Sequence, residues 1–177
     1  FPNRNPEPSE DELTELRKKS RKADLGIAYD GDGDRMLLVD NKGRKINPEQ
    51  TAHLLLAGSL KNVQGPIVAN MECTRAVDKL ASKLNKKLIR MPVGPHYLVD
   101  YAEKNKACLG IERSGHYVVP SIFPFDDSLA ISLAAASSVS EAGKRLSEIA
   151  NEVVMDPLKR INIDCADEKK FTVIERL

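Results

Sequence analysis

Three aspartates, Asp30, Asp32 and Asp34, stand at i, i+2 and i+4 with only glycine between them, and Arg35 follows directly. In extended backbone a period of two points alternate side chains the same way, and Gly31 and Gly33 permit the bends that let three carboxylates converge. Carboxylates that crowded repel one another unless a cation neutralises them, and hard oxygen donors favour Mg²⁺ or Ca²⁺ over zinc. An EF-hand would need Gly at its sixth position and a bidentate Glu at its twelfth, where this chain has Arg35 and Asn41, so that reading fails. A solvated acidic turn is the plain alternative, since Asp and Gly also dominate turns. Arg35 offers a planar fork that meets a phosphate or carboxylate oxygen beside a metal, or simply screens the loop.

The elements around this loop follow from hydrophobic pattern. Leu25 to Tyr29 and Met36 to Asp40 are short apolar runs that read as strands flanking the acidic loop, and Asn41-Lys42-Gly43 closes the second with turn chemistry. Upstream, three prolines in residues 1–8 mark an extended loop, and Ser9 with Glu12 forms a capping-box signature for a helix reaching about Lys22. From Asn47-Pro48 the pattern becomes alternating: helix through Leu60, strand 66–70, helix 74–85, strand 87–91, helix 96–105, strand 107–111. A further strand at 116–120 and helices over 127–139 and 141–153 complete the unit, and Ile161 to Asp164 alternates like one more strand. This alternation predicts an α/β fold, a three-layer sandwich with a mostly parallel mixed sheet, flanked by partial domains.

Composition agrees with a globular chain: of 177 residues 41% are hydrophobic and 30% charged. With 27 Lys and Arg against 26 Asp and Glu, the charge of +1 gives no footprint for nucleic acid. The longest weakly polar run, Leu129 to Val139, is too short to span a bilayer. Cys73, Cys108 and Cys165 fit neither a disulfide framework nor CxxC zinc spacing, which points to a reducing, cytoplasmic setting. The start at Phe1-Pro2-Asn3, without Met, reads as a piece of something longer.

Two blocks carry a family likeness. Phe1 to Pro8 with Ala23 to Arg35 resembles the metal-loop region of the α-D-phosphohexomutases, the phosphomannomutase/phosphoglucomutase and phosphoglucosamine mutase family. Gly110-Ile111-Glu112-Arg113-Ser114-Gly115-His116 is similar to that family's sugar-recognition loop, and Phe125-Asp126-Asp127 stands in its usual place downstream. The resemblance spans the chain and implies four α/β domains around one cleft. It assigns residues 1–43 to the end of domain two, 44–157 to domain three and 158–177 to the start of domain four, with the phosphoserine and the phosphate clamp in the missing domains of the same parent chain.

By the same resemblance, Asp30, Asp32 and Asp34 hold Mg²⁺ and Arg35 assists catalysis. Glu112 and Ser114 hydrogen-bond hydroxyls of a hexose phosphate, His116 shapes or supports their loop, and Gly94 and His96 belong with the substrate-binding residues. The implied reaction moves a phosphoryl group between the 1- and 6-positions of a hexose through a bisphosphate, and the isolated chain, lacking the donor, is expected to be inactive. Two departures bear on substrate identity: Glu72 stands where many relatives carry Lys, and Pro95 intervenes between Gly94 and His96. Two other readings stay open. One is a non-catalytic sugar-phosphate-binding or regulatory module; the other is a domain whose acidic loop binds Ca²⁺ structurally.

Overall fold

The computed structural model describes residues 4–8, 12–159, 161, 164–174 and 176. After α1 (Thr14–Ser20), strands β1 (Leu25–Tyr29), β2 (Met36–Asp40) and β3 (Lys45–Ile46) form an antiparallel sheet in that order. Alternation along the strands sorts its two faces. Ala28 and Val39 pack on Leu13 ahead of α1, while Met36, Leu38 and Ile46 turn the other way, into the main core.

The second unit runs α2 (Pro48–Ala57), β4 (Ile67–Asn70), α3 (Ala76–Lys83), β5 (Leu88–Met91), α4 (Pro95–Lys104), β6 (Leu109–Ile111), β7 (Tyr117–Val119), β8 (Phe123–Asp126), α5 (Ser128–Ala142) and α6 (Leu146–Asn151). Its strands lie in the order β5-β4-β6-β7-β8. The pairings of β4 with β5 and β6 are parallel, and those of β7 with β6 and β8 are antiparallel. Ile67, Ala69, Leu109, Ile111, Tyr117 and Val119 face a core shared with α2, α3, α5 and α6, whereas Val68 and Val118 face Leu98 and Ala102 of α4. The expected three-layer α/β sandwich is therefore observed.

Helix α2 is buried nearly all round because it lies between α3, α5, α6 and the sheet, and Pro48 starts it at a position that needs no N–H partner. The first sheet is fastened to this unit by polar contacts as well as by core. Tyr29 and Ser132 share a hydrogen bond of 2.7 Å, and Arg44 bonds the Asp40 carboxylate (2.8 Å), the Ser147 carbonyl (3.2 Å) and Asn151 Oδ1 (3.2 Å).

Several details differ from the sequence reading. Strand β3 extends the first sheet beyond β2, and β8 was not expected. Pro124 within β8 is tolerated because β8 is an edge strand. The break between α5 and α6 falls at Gly143, which ends α5 in the left-handed conformation (φ 61°), rather than near residue 140. A short 3-10 turn at Asp167–Lys169 leads into α7 (Lys170–Ile174). The cap assigned to Ser9 and two of the four residues of the strand expected over 161–164 lie outside the described residues, and Ile161 and Asp164 are not in a strand.

Candidate active site

The acidic loop is held from three directions. Asp30 is 5% exposed; its Oδ1 accepts the N–H groups of Gly33 (3.1 Å) and Arg35 (3.0 Å), and its Oδ2 accepts Arg35 Nε at 2.5 Å. Burial works against ionisation of Asp30, but the Arg35 side-chain and backbone hydrogen bonds outweigh it and hold the carboxyl at about 2. Asp34 goes the other way, raised by burial and by Asp30 beside it. Its carbonyl accepts the hydroxyl of Ser128 (2.6 Å) in the first turn of α5, a helix capped by Asp127 through the Ala130 N–H (3.0 Å). One oxygen from each of Asp30, Asp32 and Asp34 lies within 4.8 Å of the others, so the three carboxylates do converge as their spacing predicts. Such an all-oxygen set suits a hard divalent cation, and the half-buried Arg35 supplies part of the neutralising charge.

The second loop follows β6 and is organised by Glu112, whose side chain is 2% exposed. Its Oε1 accepts the Gly94 N–H (2.8 Å) and Asn70 Nδ2 (3.3 Å), and its Oε2 accepts the Ser114 hydroxyl (3.2 Å) and His116 Nδ1 (3.1 Å). Burial opposes the charge on Glu112, yet the His116 and Gly94 hydrogen bonds hold its carboxyl below the usual range. For His116 burial disfavours the cation, and the bond to Glu112 together with Asp34 and Asp126 raises its pKa nonetheless.

Backbone joins the two loops. Arg35 and His116 form an antiparallel bridge, and the Met36 N–H donates to the Gly115 carbonyl at 3.1 Å. Gly115 sits at φ 104°, and a Cβ there would meet the Met36 carbonyl oxygen at 2.7 Å, so only glycine fits this contact. Beside the junction opens a cavity of about 1060 Å³ whose lining includes Arg35 from the first loop and Arg113, Ser114 and Gly115 from the second. Glu72 and Arg75 line it from the segment after β4.

The predicted site residues are thus not all alike. Asp30, Asp32 and Asp34 come together, as do Glu112, Ser114, His116 and Gly94. Gly94 enters through its N–H, at φ 142°, a conformation that favours glycine, with Pro95 at the first position of α4. His96 is exposed beside Tyr97, ring centroids 4.0 Å apart, and no hydrogen bond or ion pair among the described residues joins it to Glu112. Sequence reasoning missed Asn70, at the carboxyl end of β4, and Glu49, which is fully buried and accepts both the Thr74 N–H (2.7 Å) and Arg113 Nη1 (3.1 Å). Asn70 ends an apolar run at the strand end where ligands sit, a signal that could have found it; Glu49 carried none.

Fold and site define a two-unit α/β protein in which a carboxylate loop and a glutamate-centred loop are strapped together at the rim of one cavity. The sequence models that match it are phosphoglucomutase/phosphomannomutase α/β/α domain III over residues 47–156 and domain II over residues 1–43. A protein of Methanothermobacter thermautotrophicus named "Probable phosphoglucosamine mutase" is 35% identical over 179 residues, covering 100% of this chain and 38% of its own length. Phosphoglucosamine mutase of Haemophilus influenzae is 30% identical over 156 residues, 86% of this chain and 35% of that protein. A crystal structure of a phosphoglucomutase/phosphomannomutase family protein from Burkholderia thailandensis superposes with a TM-score of 0.76 at 25% identity, over 88% of this chain and 35% of that one. The chain belongs to the phosphoglucomutase/phosphomannomutase family, the α-D-phosphohexomutases. It spans little more than a third of the length of these relatives.

Proposed function

We propose that this chain supplies the metal loop and the sugar loop of a phosphohexomutase that interconverts hexose 1-phosphates and 6-phosphates through a bisphosphate. The observation that carries the reading is the strap between the loops: the Arg35–His116 bridge sets the carboxylate loop beside the Glu112 loop, and Arg35 from one and Arg113, Ser114 and Gly115 from the other line one cavity. Asp30, Asp32 and Asp34 would hold Mg²⁺, which when bound neutralises charge on phosphoryl oxygens. Arg35, fixed by Asp30, presents its guanidinium to the cavity and orients a phosphoryl oxygen. Ser114 meets a sugar hydroxyl directly, being exposed in the cavity wall. Glu112 reads a second hydroxyl by exchanging it for the Ser114 or His116 contact that it makes in the free chain. His116 holds this loop, while Gly94 fixes Glu112; His96 stands at the outer edge of the substrate region.

The phosphoryl donor and the phosphate clamp belong to the rest of the parent chain, so the 177 residues alone do not turn over, and we place the parent in the cytoplasm. The relatives' names put glucosamine phosphates first among the hexose phosphates to be tried. Glu72 in the cavity wall, an acid where the family resemblance implies Lys, favours a second reading as a sugar-phosphate-binding module without turnover. Amide-resolved NMR titration of the chain with glucosamine 6-phosphate and Mg²⁺ tests the site: shifts centred on Arg35 and 113–116 are expected. Shifts confined to other surfaces overturn the assignment.

A further inference from the structure

Asp34 takes part in a second group of donors that the phosphohexomutase reading does not use. His116 Nε2 lies 3.4 Å from Asp34 Oδ2 and 4.0 Å from Asp126 Oδ2, and one ligand atom from each of the three residues lies within 4.8 Å of the others. The three come from separate segments: the β1–β2 loop, the residue before β7 and the end of β8. They are brought together by the Arg35–His116 bridge and by the β7–β8 pairing that places Asp126 beside Val118.

His116 is 8% exposed, and its two ring nitrogens are treated differently. Nδ1 is engaged by the Glu112 carboxylate (3.1 Å) and the Ser114 hydroxyl (2.9 Å). In the neutral ring a carboxylate on Nδ1 selects the Nδ1–H tautomer and leaves the Nε2 lone pair for a ligand, so a cation binding there displaces the Nε2 proton, the arrangement that supports metal-bound histidines. Nε2 in turn faces two carboxylates at distances longer than the roughly 2.7–2.9 Å of a charge-assisted hydrogen bond. Donors on a tetrahedral ion with bonds of about 2.0–2.1 Å stand roughly 3.3–3.4 Å apart. The His116–Asp34 separation already has that value, and a small turn of the partly exposed Asp126 side chain closes the other.

We propose that His116, Asp34 and Asp126 form a second cation site, distinct from the all-carboxylate cluster, that takes an imidazole-binding divalent ion of the Zn²⁺ class rather than Mg²⁺. The nitrogen donor sets the preference, since Mg²⁺ seeks oxygen and water whereas Zn²⁺ accepts one imidazole with two carboxylates. Asp34 is common to both clusters, so occupation of this site withdraws a carboxylate from the other. The Zn²⁺ site itself does not depend on the Mg²⁺ reading.

The test uses the 177-residue chain carrying Cys165→Ser, which removes an exposed thiol that could bind zinc. Calorimetric titration with Zn²⁺ near neutral pH is paired with the visible absorption of bound Co²⁺ as a coordination signature. One Zn²⁺ per chain is expected, weakened about tenfold or more by Asp126→Asn and by His116→Gln and retained by Asp32→Asn. Asp126 is partly exposed at a sheet edge, so its variant keeps the test decisive if His116→Gln does not fold. Unchanged Zn²⁺ affinity in Asp126→Asn overturns the proposal. So does equal loss in Asp32→Asn and Asp126→Asn, which would place the ion in the acidic loop; loss of Mg²⁺ binding alone in Asp32→Asn bears only on the Mg²⁺ reading.

Discussion

Removing the Glu112 carboxylate should separate its structural from its recognition role. Glu112→Ala strips the acceptor from Asn70 Nδ2, the Gly94 N–H, the Ser114 hydroxyl and His116 Nδ1 together. Ser114 is exposed and finds water, but Asn70 is fully buried and His116 nearly so. Asn70 Nδ2 is left without a partner at about 1–3 kcal/mol, His116 Nδ1 keeps only the Ser114 hydroxyl, and with smaller losses there and at Gly94 the cost is roughly 2–4 kcal/mol. Glu112→Gln keeps an oxygen for Asn70 and Gly94 and turns its amide toward Ser114 and His116, which can accept it as the Nε2–H tautomer. Only charge assistance is then lost, about 1–2 kcal/mol. Urea unfolding of the chain with both variants measures the difference. For a chain of this size each kcal/mol is also roughly 2–4 °C in Tm. If Glu112→Ala costs under about 0.5 kcal/mol, or Gln costs as much as Ala, the four-partner account of Glu112 is wrong. If the parent protein turns over hexose phosphates as proposed, its Glu112→Gln variant should still fold and lose one to two decades in kcat/KM, corresponding to about 1.5–3 kcal/mol.

Three further outcomes are expected. Mg²⁺ binds the isolated chain weakly, on the order of 1 mM, and Asp32→Asn abolishes it in calorimetry, while equal binding by both proteins refutes the carboxylate site. The Asp30 carboxyl is held at about 2 against an ordinary 3.8, so its contribution to stability is full above about pH 4 and is lost as pH falls through about 2. In chelator-containing buffer, the stability gap between the wild type and Asp30→Asn therefore shrinks by roughly 2 kcal/mol from pH 5 to pH 2, and a gap independent of pH contradicts the Arg35 pairing. Gly115→Ala forces a Cβ against the Met36 carbonyl oxygen at φ 104°, costing about 1–3 kcal/mol in thermal or urea unfolding, whereas the same change at Gly33, whose added Cβ meets nothing within 4 Å, costs less.

Legibility followed the range of the interactions. The acidic loop could be read because ligands, hinges and arginine all fall within six residues, and the alternation of β4 to β6 with α3 and α4 could be read because each element carries its own period. Strand β8 could not, since Pro124 contradicts a strand until the edge position is known. The Gly143 break was legible in principle, as glycine is the usual residue past a helix end, and the boundary expected between 139 and 141 falls short of it. Glu112 stood out in its motif, but Asn70 and Gly94 reach it only through the parallel sheet order, which no local pattern encodes. The Glu49–Arg113 pair spans 64 positions and left no trace in either segment. Asp126 was noticed within its segment, and its approach to His116 depends on the unexpected strand that carries it.

The central claim is that these two strapped loops serve phosphoryl transfer on a hexose. A coupled assay interconverting glucosamine 1- and 6-phosphates, run with Mg²⁺ and the bisphosphate activator on the parent protein, tests it most directly, with the 177-residue chain as a second sample. The account predicts sustained turnover by the parent, loss of at least two decades in its Asp32→Asn variant, and none by the chain alone. Turnover by the isolated chain, or a parent whose rate on every hexose phosphate is indifferent to Asp32→Asn and Glu112→Gln, would contradict it.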